Sequence, residues 1–425
     1  MNLVLARACT NSCPYCFESG EREKGKDNLI SMENVTKLAL WARQTNLPYL
    51  SLLGGEPFLH PELAAIVTLF RRTSPGTGLR ILTGGIFKNR LLENIDPEDA
   101  GIIFNVNEPR DYRNPKHYNK VLNNVEAAIR RGFRVILGFN VWRPDFDPKF
   151  MPELARRFGR SNFRWTMANP QRGFPSTVVT PELFRQTADR CFEMLQEAAA
   201  LEIEALLDCP LPLCYFTDDQ LSWITQYHSG MASRLGVCEP VMDVTPELEA
   251  VRCFALSKTP RVKVTDFGSE QEMCDWFRLN TDYQLLNSGV FPHCAECEHF
   301  RKGRCYGGCL AWHQDEIRED AEPPGTALAL ELQELLDAGN PEEVISRYES
   351  AGFWARTVVP MIVAAMAAAQ LEKWNLVVRY ASAAHDQTEE PDVKRVAAQL
   401  LARVPAGKFS DDQIDGKSPR FVACQ

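Results

Sequence analysis

The sequence has no long hydrophobic run, no excess of positive charge and no histidine pattern typical of a metal site. The longest apolar run, VVPMIVAAMAAA at 358–369, is too short to span a bilayer and contains a proline. The first residues lead straight into a strand-like segment instead of a signal peptide. We therefore expect a cytoplasmic protein that has no membrane partner.

The charge and the lack of repetition exclude further classes. The net charge of −9 argues against nucleic acid as a main partner. The chain shows no convincing internal repeat, so a solenoid is not supported.

What the sequence does contain is cysteine. Fourteen cysteines are unusual for a cytoplasmic chain, because disulfides do not persist in the reducing cytosol, and clustered thiolates there usually hold metal. Most of them fall in three groups, at 9–16, 209–253 and 294–309. We expect Cys191, which lies in a helix-like segment, to be a buried apolar residue. Cys274 and Cys424 have no assigned role.

The first 210 residues alternate strand-like and helix-like segments. We predict strands at 2–7, 49–57, 78–85, 101–109, 134–142 and 162–170, and helices at 31–45 after the N-cap Ser31, 61–72, 118–132 before Gly132, and 181–201. Apolar strands separated by helices indicate a parallel sheet that is covered on both faces. The predicted fold class is therefore α/β, with a partial (β/α)6 barrel whose chemistry lies at the carboxyl ends of the strands.

A chain of 425 residues exceeds the size of a single core, which is roughly 250–300 residues. We predict the partial barrel over 1–208, a cysteine-rich and loop-rich extension over 209–318, an all-α C-terminal domain over 327–405 and a polar tail over 406–425. The segment EDAEPPGT, 319–326, is typical of a linker.

The first cysteine group has the spacing C-x3-C-x2-C, with Cys9, Cys13 and Cys16 directly after the first predicted strand. Three thiolate ligands leave one iron of a cubane cluster open, so that it can bind a small molecule. The alternative is structural zinc, which prefers four closed ligands and usually takes them from paired C-x2-C units.

This cysteine motif resembles the signature of the radical S-adenosylmethionine (SAM) superfamily, in which an aromatic residue, here Tyr15, precedes the last cysteine. The resemblance implies a [4Fe–4S] cluster on Cys9, Cys13 and Cys16, with SAM bound at the open iron. It implies that SAM is cleaved to a 5′-deoxyadenosyl radical that abstracts hydrogen from the substrate. An electron donor such as flavodoxin or ferredoxin is the implied redox partner.

Further motifs extend the resemblance along the chain. GGEP, 54–57, follows the second strand as it does in the superfamily, where this loop binds the amino group of SAM, and Gly84 replaces the asparagine of the Thr-Asn-Gly motif. The residues that the resemblance assigns to SAM are Tyr15, Phe17, Gly54, Gly55, Glu56, Pro57, Thr83, Asn105, Gly138, Asn140 and Met167. No catalytic acid or base is assigned, although Asp208, Asp243 and Tyr118 are candidates to face the cavity.

The third cysteine group, with Cys238 and Cys253 upstream, resembles the SPASM extension of radical SAM enzymes, which implies one or two auxiliary [4Fe–4S] clusters. The ligands implied for the first cluster are Cys238, Cys253 and Cys309, with either Cys214 or Cys209 as the fourth, and we assign Cys214. The ligands implied for the second cluster are Cys294, Cys297 and Cys305. Its fourth ligand is Cys274, Cys424 or no residue of the chain. Leu248 stands where that family has glycine, and a zinc knuckle is the alternative for the last group.

The resemblance leads us to predict an oxidoreductase that modifies or cross-links a ribosomally made peptide. The first alternative is a dehydrogenase or epimerase of a small molecule such as a sugar or an aminocyclitol. It is favoured because only eight residues precede Cys9, which leaves no room for a leader-binding domain. Sulfatase-maturing relatives have an aspartate directly after the second auxiliary cysteine, and Phe254 stands there in this chain, so the resemblance to that subgroup is poor. The second alternative is a non-enzymatic zinc or iron–sulfur scaffold.

Overall fold

The structure is a computed structural model that describes residues 1–16, 29–170, 179–257, 259–282, 294, 296–301, 304–312, 324–351, 356–388 and 390–405. It divides into two compact units, which are Met1–Thr281 with Gly308–Asp315, and Asp282–Gly307 with Glu316–Gln425. Phe17, Cys424 and the predicted tail lie outside the described residues.

The first unit contains a mostly parallel sheet. Its strands are β1 Asn2–Ala6, β2 Tyr49–Gly54, β3 Gly78–Thr83, β4 Gly101–Asn105, β5 Val135–Val141, β6 Asn162–Met167, β7 Glu204–Leu207, β8 Asp243–Val244, β9 Glu249–Val251 and β10 Val262–Lys263. Strands β1 to β7 lie side by side in chain order and run parallel. On the other side of β1, β8 is parallel to it, and β9 and β10 extend the sheet with antiparallel pairs.

Helices alternate with these strands. They are α1 Met32–Gln44, α2 Leu63–Thr73, α3 Pro115–Arg130, α4 Phe150–Arg157, α5 Phe184–Ala200, α6 Asp218–Tyr227, α7 Ser229–Ala232 and α8 Glu270–Phe277. Ser31 is the N-cap of α1, and its side chain accepts a hydrogen bond from the Asn34 amide, as predicted. The α/β class is therefore confirmed, and all six predicted strands are present as β1 to β6.

The strands show why one face of the sheet is core and the other holds polar groups. Along β3, Leu79, Ile81 and Thr83 are buried while the intervening residues are half-buried, and β6 alternates in the same way. Successive side chains of a strand point to opposite faces, so each of these strands has one fully covered face. The half-buried face is the one on which polar side chains such as Arg80 and Arg164 lie.

The second unit is helical in its described part. Its helices are α9 Glu298–Arg301, α10 Pro324–Asp337, α11 Pro341–Ser350, α12 Val358–Gln370, α13 Trp374–Asp386 and α14 Pro391–Ala402. One apolar cluster joins α10 to α14, with Leu332, Val344 and Val377 fully buried in it. The all-α C-terminal prediction is confirmed, and no helix in the described part of the chain has the length and apolar character to cross a membrane.

The first unit contains four helices that were not predicted, α4 and α6 to α8, and it differs from the sequence prediction in two further features. Helix α3 begins at Pro115 instead of 118, because Asn114 caps it by accepting from the Lys116 amide and proline is favourable at the first helical position. Strands β7 to β10 were not predicted, since segments of two to four residues are too short to show a periodic pattern.

Candidate active site

The motifs singled out by the sequence meet at one edge of the sheet. The three-cysteine loop follows β1, Gly54 ends β2, Thr83 ends β3 and Asn105 ends β4. Because these strands are parallel and adjacent, their carboxyl ends lie together.

Two glycines bring the second motif against the first. The Gly55 amide donates to the Ala6 carbonyl at 2.7 Å, and the Glu56 amide donates to the Ala8 carbonyl at 2.8 Å. Gly54 has a φ of +140°, and a Cβ there would lie 2.2 Å from the Ala6 oxygen. A Cβ on Gly55 would lie equally close to the Ala8 oxygen. Only glycine permits this approach, which holds Glu56 next to the cysteine loop.

The cysteine loop gathers its three thiols. Cys9, Cys13 and Cys16 are half-buried, and the Cys16 amide donates to the Cys13 carbonyl at 3.2 Å. Burial, together with the proximity of Cys16 and Cys9, raises the pKa of the Cys13 thiol to about 12. Three thiols that repel one another as thiolates are stabilised by a cationic metal centre, which deprotonates its sulfur ligands. The donor set therefore fits a three-cysteine iron–sulfur cluster.

Glu56 places a buried carboxylate beside this loop. Its oxygens accept hydrogen bonds from the Thr83 hydroxyl at 2.8 Å, from the Gly84 amide at 3.2 Å and from the Phe58 amide at 3.2 Å. Burial raises the pKa of Glu56 to about 7, and these hydrogen bonds oppose that rise. Glu56 forms no ion pair within the described residues, so a buried carboxylate held by neutral donors is available to a cationic ligand.

Two asparagines, Asn107 in the segment after β4 and Asn140 on β5, contact Tyr15 of the cysteine loop. The Tyr15 hydroxyl donates to Asn107 Oδ1 at 2.5 Å and is also hydrogen-bonded by the Asn140 side chain. Asn107 Nδ2 lies 3.8 Å from Cys13 Sγ, within the range of an N–H···S hydrogen bond. Sequence reasoning missed Asn107, although it lies two residues beyond Asn105 and continues the alternation of that strand.

Of the other predicted residues, Gly138 and Asn105 lie against each other, whereas Met167 lies away from the site. A Cβ on Gly138 would be 2.5 Å from Asn105 Oδ1, so this glycine leaves the room that the Asn105 side chain occupies. Met167 is buried on the other face of β6, where the Tyr215 hydroxyl lies 3.6 Å from its sulfur. The structure does not bring Met167 to the other predicted residues.

A second group of thiols lies in the same unit. The Cys309 thiol hydrogen-bonds both Cys209 and Cys238, and these bonds raise its pKa. Burial raises the pKa of the Cys253 thiol well above its usual range, and the nearby Cys238 and Cys209 raise it further. Cys214, by contrast, is exposed. This geometry favours Cys209 over Cys214 as the fourth member of the group.

Backbone contacts explain how these four thiols meet. The Gly236 amide donates to the Leu211 carbonyl at 2.8 Å, which joins the loops that carry Cys238 and Cys209. Gly308 has a φ of +76°, and a Cβ there would lie 2.6 Å from the Pro212 nitrogen, so glycine lets the Cys309 segment approach that loop.

Arg252 positions Cys253, the fourth thiol of this group. Its guanidinium is almost fully buried and donates at 2.9 Å to the carbonyl oxygens of Cys238 and Glu239. Because Cys253 directly follows Arg252, these bonds hold Cys253 close to Cys238.

The second unit carries Cys294, Cys297 and Cys305. The Cys297 amide donates to the Cys294 carbonyl at 3.1 Å, and the Gly307 amide donates to Cys305 Sγ at 3.4 Å. No three histidine, cysteine, aspartate or glutamate side chains in the described part of the chain form the ligand shell of a single ion. A cubane cluster takes its four thiolates at separate irons, a wider arrangement than the shell of one ion.

Each of the acid and base candidates already has partners within the protein. Asp243 accepts from Asn2 Nδ2 and from the Phe254 amide, both at 2.6 Å, at the amino end of β1. Asp208 forms an ion pair with Arg164, with Oδ1 2.6 Å from Nε. Tyr118 packs on Tyr112 and Phe150. A catalytic base is therefore not assigned.

Comparison with known proteins agrees with the geometry of the first site. Residues 3–156 match the model of the radical SAM superfamily. GTP 3′,8-cyclase of Tolumonas auensis is 25% identical over 142 residues, which cover 32% of this chain and 42% of that protein. Molybdenum cofactor biosynthesis protein 1 of Homo sapiens is 27% identical over 146 residues, which cover 32% and 22%. The chain thus spans less than half the length of these relatives.

Solved structures share the fold over a longer stretch. SuiB of Streptococcus suis bound to S-adenosylmethionine has a TM-score of 0.51 at 12% identity, covering 72% of each chain. Native anSMEcpe with bound AdoMet and Cp18Cys peptide has a TM-score of 0.54 at 13% identity, covering 94% of this chain and 99% of that one. At such identities the likeness shows the fold alone.

Proposed function

Because residues 3–156 match the model of the radical SAM superfamily, we propose that the chain is an oxidative peptide-modifying enzyme of that superfamily. The observation that carries the proposal is the juxtaposition of three thiols on one loop with a buried carboxylate that has no ion-pair partner in the described part of the chain. The three thiols suit a cluster with an open iron, and the carboxylate suits the ammonium group of SAM.

Cys9, Cys13 and Cys16 are the residues that would hold the cluster. When bound, a [4Fe–4S] cluster supplies the electron that cleaves SAM and so starts hydrogen abstraction from the substrate. The chain's own part is to hold three thiolates on a loop that is anchored by the Thr10 hydroxyl, which donates to the Ile86 carbonyl at 2.8 Å.

Glu56 is proposed to bind the SAM ammonium. Three donors orient its carboxylate, and the Gly84 position leaves space, since a Cβ there would lie 3.8 Å from both Glu56 Oε2 and Asn11 Nδ2. A charge-assisted hydrogen bond of this kind contributes roughly 1.5–3 kcal/mol.

Tyr15, Asn107 and Asn140 are proposed to position the cysteine loop over the sheet. Their mutual hydrogen bonds fix the Tyr15 ring, whose centroid lies 6.4 Å from that of Trp142. Asn107 also directs an N–H towards Cys13 Sγ, which stabilises negative charge on that sulfur.

The second thiol group supports the oxidative part of the proposal. Cys209, Cys238, Cys253 and Cys309 are proposed to hold one auxiliary [4Fe–4S] cluster, and Cys294, Cys297 and Cys305 are candidate ligands of another. Removal of a hydrogen atom followed by a second electron requires an acceptor, and an auxiliary cluster is a suitable one. A flavodoxin or ferredoxin is the proposed external electron donor.

The peptide substrate is proposed from the fold. The fold resembles that of anSMEcpe, solved with a bound peptide, over 94% of this chain. A small-molecule substrate is the second candidate, and the match of the barrel segment to GTP 3′,8-cyclase favours it.

The test is production of 5′-deoxyadenosine by the anaerobically reconstituted full chain with SAM and a reductant. We expect the wild type to produce it and Cys13→Ala to lose production, while Cys214→Ala, which alters an exposed cysteine, retains it. A panel of peptides and small molecules then identifies the substrate class as the one that stimulates production. Equal production by Cys13→Ala and the wild type would overturn the proposal.

A further inference from the structure

One face of the sheet carries two arginines, Arg80 on β3 and Arg164 on β6. Residues paired across parallel strands share a face, and Arg80 pairs with Gly101 while Arg164 pairs with Gly138. Gly138 also pairs with Asn105, which is an even number of residues along β4 from Gly101. Arg80, Arg164 and Asn105 therefore lie on one face, which we call the polar face.

The polar face leads directly to the cysteine loop. Thr166 pairs with Asn140, and Asn140 hydrogen-bonds Tyr15. Arg164 precedes Thr166 by two residues, which places it about 7 Å farther along the strand. A substrate that lies on the polar face next to the cysteine loop would therefore be within reach of Arg164.

The Arg80 guanidinium has no acidic ion-pair partner among the described residues. Its central carbon lies 4.6 Å from the centre of the Tyr49 ring, which also belongs to the polar face because Tyr49 pairs with Gly78. Burial lowers the pKa of Arg80, and the positive charges of Arg164 and Arg134 lower it further, whereas Tyr49 and Asp208 oppose that shift. Like charges on one face, with a cation–π contact in place of an ion pair, favour the binding of an anion.

Arg164 is only partly neutralised. Its Nε lies 2.6 Å from Asp208 Oδ1, and both side chains keep some exposure, 24% and 33%. A guanidinium has five N–H donors in a planar fork, so this contact leaves donors for a second acceptor. Asp208 thus competes with any anion that binds Arg164.

We propose that Arg80 and Arg164 bind an anionic group of the substrate on the polar face, an inference that rests on the proposed function. For a peptide the group is the carboxylate of an acidic side chain near the modified residue. A phosphate ester offers the same oxygen acceptors, and the experiment separates the two sources.

The experiment measures binding of succinate and of inorganic pyrophosphate to the reconstituted full chain in the presence of SAM, with succinamide as the uncharged control. We expect at least one anion to bind and succinamide not to bind. Arg80→Gln and Arg164→Gln should each weaken anion binding about tenfold or more, because each removes a charge-assisted contact. Arg130→Gln is the matched control on an exposed surface of α3 and should not change it.

Two further variants keep the test decisive. Asp208→Asn should strengthen binding, because it removes the internal competitor for Arg164. Arg80→Lys should restore part of the affinity that Arg80→Gln loses, because it keeps the charge but not the fork. Iron content and visible absorbance confirm that each variant retains its clusters.

The outcomes separate this inference from the proposed function. Preference for succinate indicates an acidic peptide, preference for pyrophosphate indicates a phosphorylated substrate, and arginine dependence of either supports the inference. Binding that is equal in the wild type, Arg80→Gln and Arg164→Gln, or no anion binding at all, would overturn it. Failure of the wild type to cleave SAM would overturn the proposed function instead, and that readout does not depend on the anion.

Discussion

The Thr83 hydroxyl lies 2.8 Å from both carboxylate oxygens of Glu56, so the end of β3 holds the acidic residue that follows β2. The carboxylate is 1% exposed and receives donors only from neutral groups in the described part of the chain. A buried anion without a counter-ion is costly, and the raised pKa of Glu56, about 7, expresses that cost. Binding of a cation at this position relieves it.

We predict that SAM affinity rises as the pH increases through about 7, because only the ionised form of Glu56 pairs with the SAM ammonium. Below that pH the protonated carboxyl offers no charge, and the affinity falls. Anaerobic calorimetric titration on both sides of pH 7 measures the effect.

Two variants control this prediction. Glu56→Gln should weaken SAM binding about tenfold or more and flatten the pH profile, since it removes the titrating charge. Glu62→Gln changes an exposed glutamate of the same segment and should reproduce the wild-type profile. A steep profile that persists in Glu56→Gln would show that another group titrates.

We predict different effects for substitutions of Cys209 and Cys214, which are five residues apart in the chain. Cys209→Ser should lower the iron content of the reconstituted protein by one cluster, about four irons, because it removes a thiol that contacts Cys309. Cys214→Ser alters an exposed thiol and should keep the wild-type content. Iron and sulfide analysis of the two proteins decides between them, and loss of iron from Cys214→Ser alone would reverse the assignment.

Asn107 is predicted to tune the SAM-binding cluster. Its Nδ2 lies 3.8 Å from Cys13 Sγ, and hydrogen bonds to the sulfur ligands stabilise the reduced, more negative state. Asn107→Leu should therefore shift the reduction potential of that cluster to a more negative value, measured by redox titration with electron paramagnetic resonance. Asn123→Leu, an exposed position on α3, should leave it unchanged. An unaltered potential in Asn107→Leu would remove this role.

The apolar cluster of the second unit leads us to predict how two leucine substitutions change the free energy of unfolding. Leu332 on α10 is fully buried in the apolar cluster, whereas Leu330 is 60% exposed. Leu332→Ala should lower the free energy of unfolding by about 2–5 kcal/mol through lost burial and the cavity left behind. Leu330→Ala should change it by no more than about 0.5 kcal/mol. Thermal unfolding followed by circular dichroism compares the two, and equal effects would contradict the described core.

Local patterns were sufficient to predict strands β1 to β6 and the start of α1. Each strand is rich in apolar residues, either in a run or in alternation, and Ser31 is a typical N-cap. The motif residues of the first site could also be found, because the cysteine spacing and Gly54-Gly55-Glu56 are contiguous in the chain.

Features that depend on distant contacts could not be predicted. The spacing of the cysteines does not show whether Cys209 or Cys214 joins the second thiol group. That depends on the close approach of Gly308 to the Pro212 loop. Met167 was placed in the site, but the side-chain alternation along β6 places it on the opposite face from Thr166. Arg80 and Arg164 share a face only through the register of four neighbouring strands.

The central claim is that Cys9, Cys13 and Cys16 hold a cluster that cleaves SAM. The most direct measurement is the amount of 5′-deoxyadenosine formed under anaerobic conditions by the reduced, reconstituted full chain with SAM, compared with Cys13→Ala. The account predicts production by the wild type and none above background by the variant. Absence of production from a wild-type protein that contains its iron–sulfur clusters, or equal production by both proteins, would contradict it.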